Sequence, residues 1–569
     1  EIQKGLTLHS GNQKAIAFNK FGKEVWNYHN FPWMVLFIDE YGVIFGFRNF
    51  NDPNAALIKI NFGLEILWDL PNELANMHEF KPMPNGNYMG MLQVNRLGPI
   101  PSDIAYTQSF RDLGFAADDT TAEFPWQGQK IVEWNEDREV VWSWNPFDHY
   151  TMEDYDEIGF TWPNAYNQLF YQWNHSNAFF YDQAESVIYL SVRHLSRISK
   201  ISYPSGEVIW NMGLPEPYMS TGAESICSDL LFSWQHHIQL LDNGHLLFFD
   251  NGNLSEELFG YDNPISRVLE IDVIGDSSCD VIWEYELPPN LFGTAVGSAE
   301  LLENGNRLIN TKGDGMDEDE PTILEVTPNH EIVWECQNTP FRGYRSHRIP
   351  SLHPDAFSVV FDHYRSLYFG TDVVNGIVID DENDSLSFTI HNESGYTQPY
   401  VFALNEDSGW FDSVSDTITI MAGSNLTFTL GPEIQPDSIT NISLTVTPLY
   451  HEYAIKELNY NVYRISGTLK NDNKDFPGDF LVYQNYPNPF NPMTTLHFEL
   501  HENTMVTITI YDMEGRVVKT IMNNQQEAGY KSVQWNATND NGIPVSAGIY
   551  MYTIDAGEFR QTKKMVLLK

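Results

Sequence analysis

The hexapeptide EVIWNM (Glu207–Met212) decides how this chain is read, because it recurs. The other copies are EVWNY (Glu24–Tyr28), EILWDL (Glu65–Leu70), EVVWSW (Glu139–Trp144), DVIWEY (Asp280–Tyr285) and EIVWEC (Glu331–Cys336). Each sets an acid, then apolar residues, then a Trp, which is strand patterning. The Trp residues at 26, 68, 142, 210, 283 and 334 are separated by 42, 74, 68, 73 and 51 residues, a unit of about 45 residues with insertions. Asn-Gly hairpin signals precede several copies: PNGNYMGML from Pro84, DNGHLLFFD from Asp242 and ENGNRLINT from Glu303. Both residues of such a pair accept positive φ. A further strand element lies between, as in RVLEIDV (Arg267–Val273). Helical periodicity is nearly absent. Four short strands per unit, six times, predict an all-β chain whose residues 1–372 form a six-bladed β-propeller.

Two more β domains are expected. Residues 373–466 alternate with a period of two, as in SLSFTIHN (Ser385–Asn392) and ISLTVTPL (Ile442–Leu449), and read as an Ig-like sandwich. A polar linker, 467–480, leads to a third β-sandwich at 481–569.

The 569 residues carry 32 Lys and Arg against 77 Asp and Glu, a net charge of −45. From Leu481 onward there are 7 Lys and Arg and 8 Asp and Glu, so residues 1–480 hold almost all of the negative charge. Nucleic acid is excluded as the main partner, since phosphate binding needs a basic face. Hydrophobic residues at 42% exclude wholesale disorder. No apolar run approaches a membrane span, and no signal peptide is visible at Glu1, so an exported protein would be the mature form. Cys227, Cys279 and Cys336 allow one disulfide and one free thiol, and the sequence alone does not assign the pair.

Aligning the repeats on the hairpin Asn brings histidines into one slot. His78 lies seven residues before Asn85, His175 seven before Asp182, and His236 seven before Asn243; in the next repeat the slot holds Gly297. In a propeller equivalent positions converge on one axis, so the three His should face one another. His237 should then point to the other side of its strand. Arg193 follows His175 by eighteen residues and offers a planar fork for sulfate or phosphate oxygens. Three His would also suit zinc with an open position, although an adjacent Arg argues against a metal there. The acidic run Asp314–Glu320 lacks EF-hand spacing and reads as a solvated loop. Trp162, Tyr166, Phe170, Tyr171, Trp173, Phe232 and Trp234 could stack a phenolic ring or fill the core.

The stretches WNHSNAFFYDQAESVIYLSVRHLSRISKI, SWQHHIQLLDNGHLLFFDNG (Ser233–Gly252) and YRSHRIPSLHP (Tyr344–Pro354) resemble the arylsulfate sulfotransferase family, six-bladed propellers of exported bacterial proteins. The resemblance covers roughly residues 1–370. It implies ping-pong transfer of a sulfuryl group from a phenolic sulfate ester to a phenol through a sulfohistidine. No phosphoadenosine phosphosulfate, other cofactor or metal is implied. Carried over, His236 would be the nucleophile, His78 and His175 its supporting His, and Arg193 the cation. The residue after the nucleophile, His237, departs from the family pattern and leaves open what fixes the nucleophilic ring. YPNPFNP (Tyr486–Pro492), YDMEGRVV (Tyr511–Val518) and GIPVSAGIYMY (Gly542–Tyr552) resemble the C-terminal sorting domain of the type IX secretion system. That resemblance implies export to the cell surface or medium, with the secretion machinery as partner. The alternative reading is a surface propeller used for binding or adhesion, with the pocket retained but inactive.

Overall fold

The computed structural model describes the whole chain except residues 12–13, 29–32, 49–55, 71–74, 160, 216–217, 219–224, 314–320, 338, 340, 370–371, 381–383, 432–438, 466–479, 486, 501, 514, 558 and 569. The acidic run 314–320 and nearly all of the expected linker lie outside the described residues. The protein is all-β, and among the described residues no helix is long and apolar enough to cross a membrane. It divides into two compact units, Glu1–Ile465 and Ser466–Lys569.

In the first unit, every Trp hexamer supplies the fourth strand of a sheet, and in the sheet holding Trp210 a short fifth strand, Ser225–Ile226, pairs in parallel beyond it. The second sheet runs Trp33–Ile38, Ile44–Arg48, Ala56–Ile60, Ile66–Leu70, and the third Ala75–Pro82, Tyr88–Gly98, Phe124–Trp134, Val140–Trp144. The fourth runs Ser176–Asp182, Val187–Val192, Arg197–Ser202, Val208–Gly213, and the fifth His236–Leu240, Leu246–Asp250, Arg267–Ile274, Ser278–Glu286. The sixth runs Ser298–Leu301, Arg307–Thr311, Thr322–Val326, Ile332–Cys336. The first sheet takes its leading strand from far along the chain: Gly343–Ile349 pairs with Leu6–Gly11, followed by Lys14–Phe18 and Glu24–Tyr28.

The repeated Trp has a repeated task. Its indole N–H donates to a turn in the following sheet: Trp68 to Glu136 O (3.0 Å), Trp142 to Pro204 O (2.8 Å), Trp210 to Asp276 Oδ1 (2.7 Å), Trp283 to Pro328 O (3.0 Å). Trp334 of the sixth sheet donates to Lys20 O of the first (2.8 Å), so the series returns to its start. Each Trp thus buries apolar area between sheets while its one donor stays satisfied. A disulfide between Cys227 and Cys279 joins the fourth and fifth sheets, and Cys336 is free.

The Asn-Gly hairpins form, but with one positive φ each. Gly86, Gly244 and Gly305 have φ of 86°, 85° and 82°, whereas Asn85, Asn243 and Asn304 do not enter that region. Each Gly amide closes a turn on Met83, Leu241 or Leu302 O, and the Asn side chain caps the residue two further on. The longer loop with a single left-handed Gly therefore wins over a turn with both residues at positive φ.

Beyond these sheets, Phe357–Phe361, Leu386–Asn392 and Asn425–Leu430 form one sheet. A second contains Tyr364–Phe369, Asp372–Asp380, Lys456–Ile465, Ile439–Pro448, Gln398–Glu406 and Val414–Ile420. They share a core around Phe388, Phe402 and Leu444. Pairing here starts at Phe357, ahead of the expected boundary at 372/373. The second unit has two sheets enclosing Trp535, Tyr552 and Phe498, and Ig-like alternation in strands such as Thr494–Leu500.

Candidate active site

The fourth sheet begins at Ser176, and the chain reaches it through Tyr171–Gln172, which pairs in parallel with Phe124–Trp134 of the third sheet. His175 sits in this junction with a φ of 45°. The turn after Val192 folds back on it: Arg193 N donates to His175 O (3.2 Å) and His194 N to Asn174 O (3.3 Å). His175, Arg193 and His194 are thereby held at one end of the fourth sheet. His78 comes from the first strand of the third sheet and His236 from the start of the fifth. Non-Gly residues at positive φ gather here: His175 (45°), Ser196 (43°), Trp234 (56°), His237 (55°) and Val296 (58°). Such conformations are costly and cluster where surroundings over-determine the backbone.

The rings of His78 and His175 are 4.8 Å apart, and those of His175 and His194 4.7 Å. Arg193 donates through Nη1 to His194 Nε2 (2.7 Å) and through Nη2 to Thr294 O (3.1 Å), and lies on the face of Trp234 at 4.1 Å. His236 reaches this group through Trp234 O (3.1 Å), and the charges of Arg193 and His78 act on it. The slot in the sixth sheet, Gly297, has a φ of 106°, and a Cβ there would meet the Phe249 ring at 2.6 Å. A side chain does not fit, so the cluster stops at three slots.

Hydrogen bonds fix the tautomers of His236 and His194. His236 Nδ1 faces two oxygens, Asn251 Oδ1 at 2.6 Å and Trp234 O at 3.1 Å. Asn251 cannot present its NH2 instead, because Nδ2 donates to Gly293 O (2.8 Å) and Val296 O (2.9 Å). Nδ1 therefore carries the hydrogen and Nε2 the lone pair. Asn251 is held in a turn where Gly252, with φ 68°, has no room for a Cβ (1.8 Å from Ile265 O). His78 Nδ1 is bonded by Asn76 Oδ1, and His175 Nδ1 by Gln172 Oε1 (3.1 Å). His194 Nδ1 donates to Gln172 O (2.6 Å), leaving Nε2 to accept from Arg193. His237 leaves the group: its Nδ1 donates to Ala299 O (3.0 Å) and its ring faces His347 at 6.4 Å.

The rings are neutral. Burial, reinforced by Arg345 and Arg193, lowers His78 to about 3; burial and Arg193 lower His194 to about 3. His175 and His236 are held well below 6.5, mainly by burial, with His194 and Arg193 respectively as the next cause. Burial also pulls Arg193 down to about 10, which leaves it charged at neutral pH. The site thus presents one fixed cation and neutral imidazoles, not protonated His78 or His175.

Beneath His78 the wall is closed by an ion pair. Arg345 binds both oxygens of Glu79 (2.8 and 2.9 Å) and also donates to Leu36 O and His78 O. Tyr344 OH donates to His78 O and Asn177 O. Sequence reasoning did not identify Asn251, His194, Glu79 or Arg345 as parts of the site. His194 was next to a chosen residue; Asn251 and Arg345 act across strands and left no linear signal. Among the described residues no cluster of three or more His, Cys, Asp or Glu side chains is arranged to hold a metal ion. Of the seven aromatics singled out, Trp234 stacks on Arg193, whereas Trp162 stacks on Tyr171 (4.0 Å) and Trp173 on Phe147 (4.8 Å), inside one core.

No curated protein matches the chain. Solved structures with similarity include the extracellular domain of a protein assigned as a hybrid two-component system from Bacteroides thetaiotaomicron. It is 10% identical, covering 82% of this chain and 56% of that one, with a TM-score of 0.30. Another is PorZ, a surface component of the type IX secretion system of Porphyromonas gingivalis, at 11% identity, covering 98% and 68%, with a TM-score of 0.25. Likeness this distant carries no functional argument. Family models are more specific. Residues 492–558 match the FlgD Ig-like domain. Residues 116–345, which contain His175, Arg193 and His236 and stop short of His78, match the arylsulfotransferase (ASST) family.

Proposed function

We propose that the protein is an arylsulfate sulfotransferase that moves a sulfuryl group from a phenolic sulfate ester to a phenol, with His236 as nucleophile. The observation that carries this reading is the fixed tautomer of His236, whose Nε2 lone pair stands free while Nδ1–H is held by Asn251. In the first half-reaction Nε2 attacks sulfur, the S–O bond to the aryl group breaks with its electron pair on oxygen, and a phenolate departs. In the second, an acceptor phenol loses its proton as its oxygen attacks the same sulfur, and the N–S bond returns its electron pair to Nε2; over the cycle that proton balances the one the departed phenolate takes up. Charge spreads over three sulfuryl oxygens in a loose transition state, as in phosphoryl transfer. Arg193, pinned by His194, Thr294 O and Trp234, meets that charge without reorganising. The rings of His78 and His175 lie 4.8 Å apart beside it. The reading uses no metal and no cofactor.

In the same reading, the six sheets are the blades of the propeller expected over residues 1–372, of which 357–369 pairs instead with the sandwich that follows; five Trp bonds link successive blades, and Gly343–Ile349 closes the ring. Residues 373–466 are an Ig-like spacer, 467–480 a linker, and 481–569 a sorting domain for type IX secretion. Display at the surface or in the medium agrees with a disulfide, which persists in oxidising compartments. The test is transfer from p-nitrophenyl sulfate to added phenol. Wild type should release nitrophenol, and His236→Ala should lose release altogether; full activity in His236→Ala would sink the assignment.

A further inference from the structure

Three buried polar atoms beside the His–Arg group have no hydrogen-bond partner among the described residues: Arg193 Nε, Trp234 Nε1 and Asp156 Oδ2. They belong to one corner. Arg193 lies on the Trp234 face. Gly159 lies against both the Trp234 edge bearing Cζ2, beside Nε1, and the Asp156 carboxylate: a Cβ there would lie 2.7 Å from Cζ2 and 2.6 Å from each Asp156 oxygen. Asp156 is 5% exposed, and its Oδ1 accepts the Gly159 amide at 2.8 Å. Burial raises its carboxyl to about 6, against the opposing effects of the Gly159 amide, Thr161 and Arg193. Arg193 and Tyr171 are the charged and titratable groups acting on it from the packed elements. Buried donors and acceptors are rarely left unpaired in native proteins. Two orphaned donors and one acceptor around an indole suit a ligand that both donates and accepts through one oxygen on an aromatic ring, as a phenol does.

We infer that Asp156 and Trp234 form the phenol subsite of this centre, with Asp156 as the acid–base group for the phenolic oxygen. The inference rests on the sulfotransferase reading above. In the acceptor half-reaction the phenol O–H gives its proton to Asp156 Oδ2 as its oxygen bonds to sulfur and the N–S bond breaks. In the donor half-reaction protonated Asp156 returns that proton to the departing phenolate oxygen as the S–O bond breaks. His78 and His175, held neutral mainly by burial, are not the imidazolium acids this step would need.

The test compares single-turnover release from phenyl sulfate and from p-nitrophenyl sulfate, whose far more acidic phenol leaves with little help. Asp156→Asn should slow the phenyl sulfate reaction by about 10²–10⁴-fold, at least tenfold more than the p-nitrophenyl sulfate reaction, and Asp156→Glu should recover part of that ratio. Equal slowing of both donors, the mark of a carboxylate that only supports the loop, overturns the inference and leaves the sulfotransferase reading standing. Absence of nitrophenol release from wild type overturns both. A measurement independent of variant folding is the dependence of the wild-type rate on leaving-phenol acidity. A shallow dependence is expected, and a steep one overturns the role of Asp156.

Discussion

Replacing Asn251 by Leu tests the logic of the nucleophile. Asn251 Oδ1 is 2.6 Å from His236 Nδ1 and is the better of its two acceptors, the other being Trp234 O at 3.1 Å. Leu keeps the volume and removes both the acceptor and the two donors to Gly293 and Val296 O. A buried donor left weakly satisfied costs about 1–3 kcal/mol. The same energy is withdrawn from the tautomer with a free Nε2, so the competent fraction falls by roughly 5- to 150-fold, at 1.36 kcal/mol per factor of ten. The expected result is a nitrophenol burst slowed by that factor, with the ¹⁵N spectrum of the imidazole showing hydrogen on Nε2. Asn251→Asp, which retains an acceptor, should keep the Nδ1–H tautomer. A full burst rate in Asn251→Leu with an unchanged spectrum would refute the argument.

Other outcomes follow from the same geometry. Glu79→Ala strands the Arg345 guanidinium, 1% exposed, and should cost about 3–5 kcal/mol, read by urea denaturation. Reducing the Cys227–Cys279 bridge, whose partners are 52 residues apart, should cost about 4 kcal/mol on the chain-entropy estimate. Trp283→Phe keeps an aromatic ring but removes the bond to Pro328 O (3.0 Å) and part of the indole packed on Arg307, and should cost at least about 1 kcal/mol in thermal denaturation. The pH dependence has a definite sign: His78, His175, His194 and His236 have folded pKa values below 6.5. The unfolded chain therefore binds more protons as pH falls from 6.5 toward 3, and stability declines through that window. Because His236 stays neutral there, nitrophenol release should not fall between pH 8 and 6.5, and any change from Asp156 titrating near 6 should be a rise toward acid; a rate halved at 6.5 would contradict the buried, neutral ring.

The strand pattern was legible because it repeats. Every Trp hexamer occupies the fourth strand of its sheet, since acid, apolar residues and Trp meet the same surroundings each time. The strand that pairs with Leu6–Gly11 was not legible: Gly343–Ile349 carries polar residues and joins its partner across more than 300 residues. The slot rule drew attention to His78, His175 and His236, which the structure places at the fourth residue of one strand, just before a second and at the start of a third. What the sequence hides is the support. His194 and Asn251 matter through turns that bend Arg193 and Asn251 beyond their strand ends, and Asp156 through a loop with no periodicity. The hairpin Asn residues cap backbone amides instead of taking positive φ, a choice set by loop length and not by composition.

The central claim, a sulfuryl group carried on His236, is tested most directly by trapping it. The protein is mixed with p-nitrophenyl sulfate without acceptor, quenched in alkali to preserve the N–S bond, digested and mapped by mass spectrometry. The account predicts one sulfuryl group per chain on His236, discharged when phenol is added before the quench. Nitrophenol release with no labelled histidine, or with the label on His237, His175 or His78, would contradict it.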